Sequence, residues 1–160
     1  MDIIDVLKAD HRKAETMLEQ LEKTTTRAGK TRTEVLAKVV ADLRVHMRFE
    51  EEVLYPAVKA GGDGERRELT NEAYAEHESA RGAIAKLEAL STDDEMWKAW
   101  LSVLKEGITH HIDEEEQADG LFQFAKRSIP SDERKAMAAR YAAMKGDGHK
   151  PETSMRAGSM

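Results

Sequence analysis

A lone His, followed about thirty-five residues later by His-x-x-x-Glu, occurs twice in this chain, and this doubling constrains the fold more than any other feature. The first copy is His11 with His46-Met-Arg-Phe-Glu50; the second is His77 with His111-Ile-Asp-Glu-Glu115. The copies are offset by 66, 65 and 65 residues, so the second half repeats the first almost in register. Residues four apart on a helix project from one face, one turn above the other. Imidazole nitrogen with carboxylate oxygen is a ligand set that iron, manganese and zinc accept. Four helices that each bring such residues to a shared axis would build a metal site.

The rest of the chain is compatible with that geometry. Apolar residues recur with helical period throughout, which makes the fold all-α. A first segment carries Ile3, Ile4, Leu7, Ala14, Leu18 and Leu21 on one stripe with His11 inside it, and Asp2 is a plausible N-cap. A second helix is expected from near Thr31 or Thr33, with Leu36, Val39, Leu43, Met47 and Leu54 inward beside His46 and Glu50. Pro56 is expected to kink or end it, and Gly61-Gly-Asp-Gly64 to stop it. A third runs from about Glu65 to Leu90 with His77 inward. Ser91-Thr-Asp-Asp94 then introduces a fourth, carrying Trp97, Leu104, Ile108, His111 and Glu115 and ending near Asp119-Gly120. Ser131, with Asp132 and Glu133 in the first turn, opens a shorter helix through Tyr141.

Short connections make consecutive helices antiparallel neighbours. The expected architecture is an up-down-up-down antiparallel four-helix bundle over 1–125, an additional short C-terminal helix within 126–145, and a disordered tail over 146–160. Antiparallel packing sets an early position on one helix against a late one on the next. His11 then faces His46 and Glu50, His77 faces His111 and Glu115, and the centre lies toward one end of the bundle.

Composition removes several function classes. With no cysteine, disulfides, thiolate metal sites, iron–sulfur clusters and Cys nucleophiles are excluded, and a reducing cytoplasm is the expected compartment. The N-terminal Met1-Asp-Ile-Ile-Asp lacks a basic region before an apolar stretch, so no signal peptide is expected. No apolar run approaches the ~18 residues of a membrane span. A net charge of −6 with both signs interspersed argues against a nucleic-acid footprint.

Taken singly, each histidine on an apolar face reads as a satisfied core residue. The doublet reads differently, because four of the six histidines take repeat-related inward positions. Burying that many ionisable groups costs several kcal/mol per ion unless they are paired or bind metal. His110 lies roughly 100° around the helix from His111, toward the surface or in support of the site, and His149 falls in the tail. Of Glu50-Glu51-Glu52 and Glu114-Glu115-Glu116, only Glu50 and Glu115 share the face of their histidine; the neighbours are solvated or support the ligands.

The doubled motif, with His46-Met-Arg-Phe-Glu-Glu-Glu-Val-Leu-Tyr-Pro56 and His111-Ile-Asp-Glu-Glu-Glu-Gln117, resembles the hemerythrin-like, or HHE cation-binding, domains over about residues 1–125. The resemblance implies a four-helix bundle holding a non-haem di-iron centre, two Fe per chain, bridged by two carboxylates and an oxo or hydroxo group. By that resemblance His11, His46, His77 and His111 are terminal ligands, and Glu50 and Glu115 the bridges. The oxygen-carrying members have a further histidine one turn before the third-helix ligand, and that position here is Ala73. Tyr74 is a possible additional oxygen ligand, with Glu72 and Glu76 as further candidates.

A missing histidine opens a coordination position, which suits peroxide or nitric oxide chemistry, redox sensing or iron handling better than reversible carriage. Three classes stay open: a di-iron protein that binds or senses O2 or a related diatomic; a peroxide-consuming or iron-handling protein; and a metal-free helical interaction protein. The expected small ligand is a diatomic gas or peroxide, and a sensing role requires a protein partner.

Overall fold

The computed structural model describes residues 1–148 and contains seven α-helices among them. These are α1 (Ile3–Glu22), α2 (Gly29–Phe49), α3 (Tyr55–Ala60), α4 (Gly64–Ala89), α5 (Trp97–Glu116), α6 (Leu121–Ser128) and α7 (Ser131–Gly148), with a π-helical turn at Glu50–Leu54 joining α2 to α3. Helices α1, α2, α4 and α5 form the four-helix bundle, in which α1 packs on α2 and α5, and α4 on α5. No helix among the described residues is long and apolar enough to cross a membrane.

Local chemistry sets the helix ends. The Asp2 carboxylate accepts the Ile4 N–H at 2.9 Å, and Asp63 accepts the Arg66 N–H at 3.2 Å, each satisfying a donor that the first helical turn leaves without an intrahelical partner. Asp94 accepts the Met96 N–H at 2.8 Å just ahead of α5. Helix α2 starts at Gly29, ahead of the expected threonines. Arg32, almost fully buried, sets that early start by donating to Thr24 Oγ1, Thr24 O and Thr92 O, with its guanidinium 4.3 Å above the Trp97 ring. It ties the two loops at that end of the bundle together.

Pro56 does not end the second helix. Proline has no N–H to give to the carbonyl four residues back, and its ring crowds that oxygen. The chain answers with the π turn, in which the Tyr55 N–H bonds to the Glu50 carbonyl, and helical structure continues to Ala60.

The end of the chain also differs from expectation. Residues 121–128 form a helix of their own, and α7 spans 18 residues, longer than anticipated. It lies against α1 and α2, and Arg134 fixes its start by donating to the Asp2 carboxylate and to the carbonyls of Lys126 and Ile129. Of the tail expected over 146–160, residues 146–148 belong to α7, and 149–160 lie outside the described residues.

Two apolar clusters result. One fills the bundle with Leu18, Leu21, Val39, Ile84, Trp97, Leu101 and Leu104 among others. The second packs Ile3, Ile4, Leu7, Phe49 and Tyr55 against Phe122 of α6 and Tyr141 of α7. The histidines and glutamates of the repeated motif sit between them, so α3, α6 and α7 close what would otherwise be an open bundle end.

Candidate metal centre

Each of the six repeat residues reaches the interior. His11, His46, Glu50, His77, His111 and Glu115 are all at most 5% exposed. One nitrogen or oxygen from each of His11, His46, Glu50 and Glu115 lies within 4.8 Å of the others, and the same holds for Glu50, His77 and His111. Glu50 therefore belongs to both groups. Its Oε1 is 3.4 Å from His46 Nε2 and 3.2 Å from His77 Nε2. Glu115 spans them in the mirror sense, with Oε1 3.4 Å from His11 Nε2 and 3.2 Å from His111 Nε2.

The outer edge of every imidazole is taken by a carboxylate. His11 Nδ1 lies 2.6 Å from Glu116, His77 Nδ1 2.6 Å from Glu51, His111 Nδ1 2.7 Å from Glu76 and His46 Nδ1 3.2 Å from Asp10. A carboxylate only accepts, so each Nδ1 carries the proton and each Nε2 faces inward. These supports obey the internal repeat: Glu116 follows Glu51 by 65 residues, and Glu76 follows Asp10 by 66. Guanidinium groups hold two of them, Arg12 on Glu116 at 2.6 Å and Arg81 on Glu51 at 2.7 Å. Glu51 and Glu116 thus hold His77 and His11 rather than facing water. Glu76 takes the same role, not that of an added ligand, and its other oxygen meets the exposed His110 at 3.3 Å.

Tyr55 is the functional residue that sequence reasoning missed. Its buried hydroxyl lies 3.1 Å from Glu50 Oε1, 2.6 Å from Glu115 Oε2 and 3.3 Å from His77 Nε2. In an α-helix, residues five apart diverge by about 140° at ~100° per residue. The π turn closes its hydrogen bond across five residues instead and stacks Tyr55 over Glu50. Tyr74 is not brought to the cluster: its hydroxyl donates to the Glu51 carbonyl at 3.1 Å, and its ring meets Tyr55 edge-on. A side-chain oxygen does stand beside His77, but it belongs to Tyr55 of α3 and not to the neighbour of Ala73. Pro56 was its signal, since a proline within a helical pattern marks a place where the period changes.

Without metal, the electrostatics are those of interlocked ion pairs. Burial opposes charge on His46, yet Glu50 and Asp10 raise its pKa from 6.5 to about 10. Burial opposes charge on His111 too, and Glu115, Glu50 and Glu76 raise it. Burial pushes Glu50 up, but His46, His111 and His77 hold its carboxyl well below the usual range. The Tyr55 phenol is driven up by burial and by the Glu115 and Glu50 charges.

Even so, His11 Nε2, His46 Nε2, Glu50 Oε2 and Glu115 Oε1 are buried and make no hydrogen bond. Buried polar atoms left this way are costly, and cations held between these four would satisfy them. Four imidazole nitrogens, two carboxylates and a phenol oxygen exceed what one closed tetrahedral zinc site uses, and they suit two metals of the iron or manganese kind. Beside the histidine rings lies a cavity of about 30 Å³ walled by the apolar Ala14, Leu43, Met47, Ile108 and Ile112 and by the charged Asp10, Lys13, Asp42 and Glu76. That exceeds the ~10–15 Å³ that one water needs.

A chain from a solved structure, the hemerythrin HHE cation binding domain-containing protein of Mycobacterium kansasii, superposes with a TM-score of 0.69 at 19% identity, covering 92% of this chain and 89% of that one. A protein of Nostoc sp. named DNA nickase is 27% identical over 146 residues, which is 91% of this chain but 39% of that protein's length. The model of the hemerythrin HHE cation binding domain matches residues 2–120, the span that carries all six converging residues, and the chain belongs to that family.

Proposed function

We propose that this chain is a non-haem di-iron protein of hemerythrin type that acts on or senses O2, nitric oxide or peroxide. The observation that carries the reading is the convergence of four buried, hydrogen-bond-free ligand atoms inside a shell in which every outer imidazole nitrogen is already satisfied. Two irons, when bound, supply one-electron redox chemistry and open positions for a small ligand. His11, His46, Glu50 and Glu115 would hold one, and His77, His111, Glu50 and Glu115 the other. The outer carboxylates keep the imidazoles in the tautomer that offers Nε2 inward. The cavity beside the histidine rings has room for a diatomic molecule. Tyr55 brings a phenol oxygen to 3.3 Å from His77 Nε2, and it donates its hydroxyl hydrogen to Glu115 Oε2 at 2.6 Å. An oxygen donor with a transferable proton suits peroxide or nitric oxide chemistry, or sensing, better than reversible carriage.

Anaerobic Fe(II) loading followed by metal quantification and a visible spectrum tests the reading. Two irons per chain are expected, and peroxide turnover then separates a catalyst from a sensor. Glu50→Ala or Glu115→Ala should abolish the dinuclear centre, while His77→Ala leaves a weakened one. Saturation at one metal, or tight tetrahedral zinc, overturns the proposal.

A further inference from the structure

The pseudo-twofold that relates the two halves extends to the supporting carboxylates but stops at Asp10. Its counterpart Glu76 leans on the exposed His110. Asp10 is gripped from outside the bundle: Tyr141 of α7 donates a short hydrogen bond to Asp10 Oδ2, and Lys145 of α7 donates to Oδ1 at 2.9 Å. The same Oδ2 receives His46 Nδ1 at 3.2 Å. Tyr141 is 1% exposed, its ring 4.9 Å from Phe49 and edge-on to His46 at 6.3 Å. The family match ends at residue 120, whereas α7 begins at Ser131.

We propose that α7 is part of the metal-site framework: Tyr141 and Lys145 are positioning residues that fix the Asp10 carboxylate, and through it the His46 ring, so the metal position at His11 and His46 depends on α7 while the one at His77 and His111 does not. The consequence for metal rests on the di-iron reading; the consequence for His46 does not. Three contacts converge on Asp10. Its two oxygens are shared among a phenol, an ammonium and an imidazole, so removing the phenol frees the carboxylate to turn toward Lys145. His46 then loses the acceptor that holds its ring plane and its tautomer. Among the described residues, no hydrogen bond or ion pair joins α7 to the Glu51 and Glu76 carboxylates that support His77 and His111; besides those histidines, Glu51 meets Arg81, and Glu76 meets His110 and Glu114.

Tyr141→Phe in the full chain tests this, because the phenylalanine keeps the ring on Phe49 and removes only the hydroxyl. In the metal-free protein, the imidazole nitrogen signals of His46 should move and those of His77 should stay. In the iron-loaded protein, chelator should extract one of the two irons about 10-fold faster than from the parent, since outer-shell partners are worth about 10–100-fold in metal affinity. Adding Tyr141→Phe to Asp10→Asn should change nothing further. Lys145→Met provides a second test: it removes the ammonium from Asp10 Oδ1 and from above the Tyr141 ring, leaves that ring on Phe49, and should give the same pattern more weakly. Unmoved His46 signals, or equal acceleration of both irons, overturns the proposal. If no iron binds the parent chain, the di-iron reading fails while the His46 signals still decide the role of α7.

Discussion

The Tyr55 hydroxyl stands 2.6 Å from Glu115 Oε2, although the two residues come from opposite halves of the internal repeat. The contact crosses the centre and leaves Tyr55 without a symmetry mate, because the residue 65 positions later is Gly120. One half supplies a phenol, and the other supplies a turn. Tyr55→Phe should therefore alter the visible spectrum of the iron-loaded protein and weaken the iron beside His77, whereas Tyr74→Phe should leave both unchanged. Equal spectra for Tyr55→Phe and the parent would remove Tyr55 from the site.

Gly120 is confined by backbone, not by conformation. A Cβ there would come 2.2 Å from the Glu114 carbonyl oxygen and 2.7 Å from that of Glu115, so the end of α5 must move to admit it. Gly120→Ala is expected to destabilise by about 1–3 kcal/mol, typical of forced overpacking, and to lower iron affinity by displacing Glu115. Gly82 meets nothing within 4 Å of an added Cβ, so Gly82→Ala in α4 should raise thermal stability with iron binding intact. The two thermal shifts, read beside iron titrations, check this.

The reach of the sequence follows from what kind of regularity each residue obeys. The six inward residues were readable because His and Glu four apart are tied to the α-helical period, and the near-identical offsets repeated the test. Tyr55 escaped because it lies across a change of period. Tyr74 attracted attention through its three-residue spacing from His77, but spacing fixes only a face, and its hydroxyl found the Glu51 carbonyl. Asp10 with Glu76 and Glu51 with Glu116 carry the same repeat offsets as the ligands, so a complete self-comparison contains them. Nothing local marks them, since isolated acids on a helix usually face water. Helix α7 displays almost no apolar periodicity, and its attachment through Tyr141, Arg134 and Lys145 is visible only in three dimensions.

Stability of the metal-free protein should depend on pH with a definite sign. The raised pKa of His46 contributes stability that is fully present below 6.5 and lost as pH rises through about 10. Asp10 behaves oppositely: burial pushes it up, but the hydrogen bonds and charge of His46 and the Tyr141 hydroxyl hold it below 3.8, so its contribution is lost as pH falls. The metal-free melting temperature is expected to be highest at about pH 4–6.5 and to decline above. Iron needs the Nε2 lone pairs that protons occupy, so its affinity should climb over the range where metal-free stability declines. Melting curves with and without iron across that range check both slopes; a metal-free optimum near pH 9 contradicts the ion-pair assignment.

At the far end, Arg32 and Trp97 define a region that stabilises without touching the metal. Arg32→Met leaves the Thr24 and Thr92 carbonyls without their buried donor. The expected cost is about 2–3 kcal/mol, seen as a lower denaturation midpoint in urea. Iron stoichiometry and spectrum should not change. Loss of iron in this variant would show the two ends of the bundle to be coupled.

The last prediction concerns Ala73, one turn before His77. The residue is nearly buried and shares its apolar cluster with Tyr55, whose ring packs on His77 at 5.5 Å between centroids. A histidine at this position would compete for room in the cluster that the Tyr55 ring helps to fill. Ala73→His alone should therefore overpack the site and lower stability by about 1–3 kcal/mol. Combined with Tyr55→Leu, the same histidine gains space, so the double variant should be more stable than the sum of the single effects implies. It should also consume peroxide more slowly than the parent, because an imidazole then closes a position that the parent leaves to an oxygen donor. Thermal melts of the four proteins of the cycle, with peroxide consumption measured after iron loading, decide the matter. Strict additivity in the melts would mean that the Tyr55 ring does not bound the space at Ala73. Unchanged peroxide consumption in the double variant would mean that ligand count beside His77 does not set the chemistry.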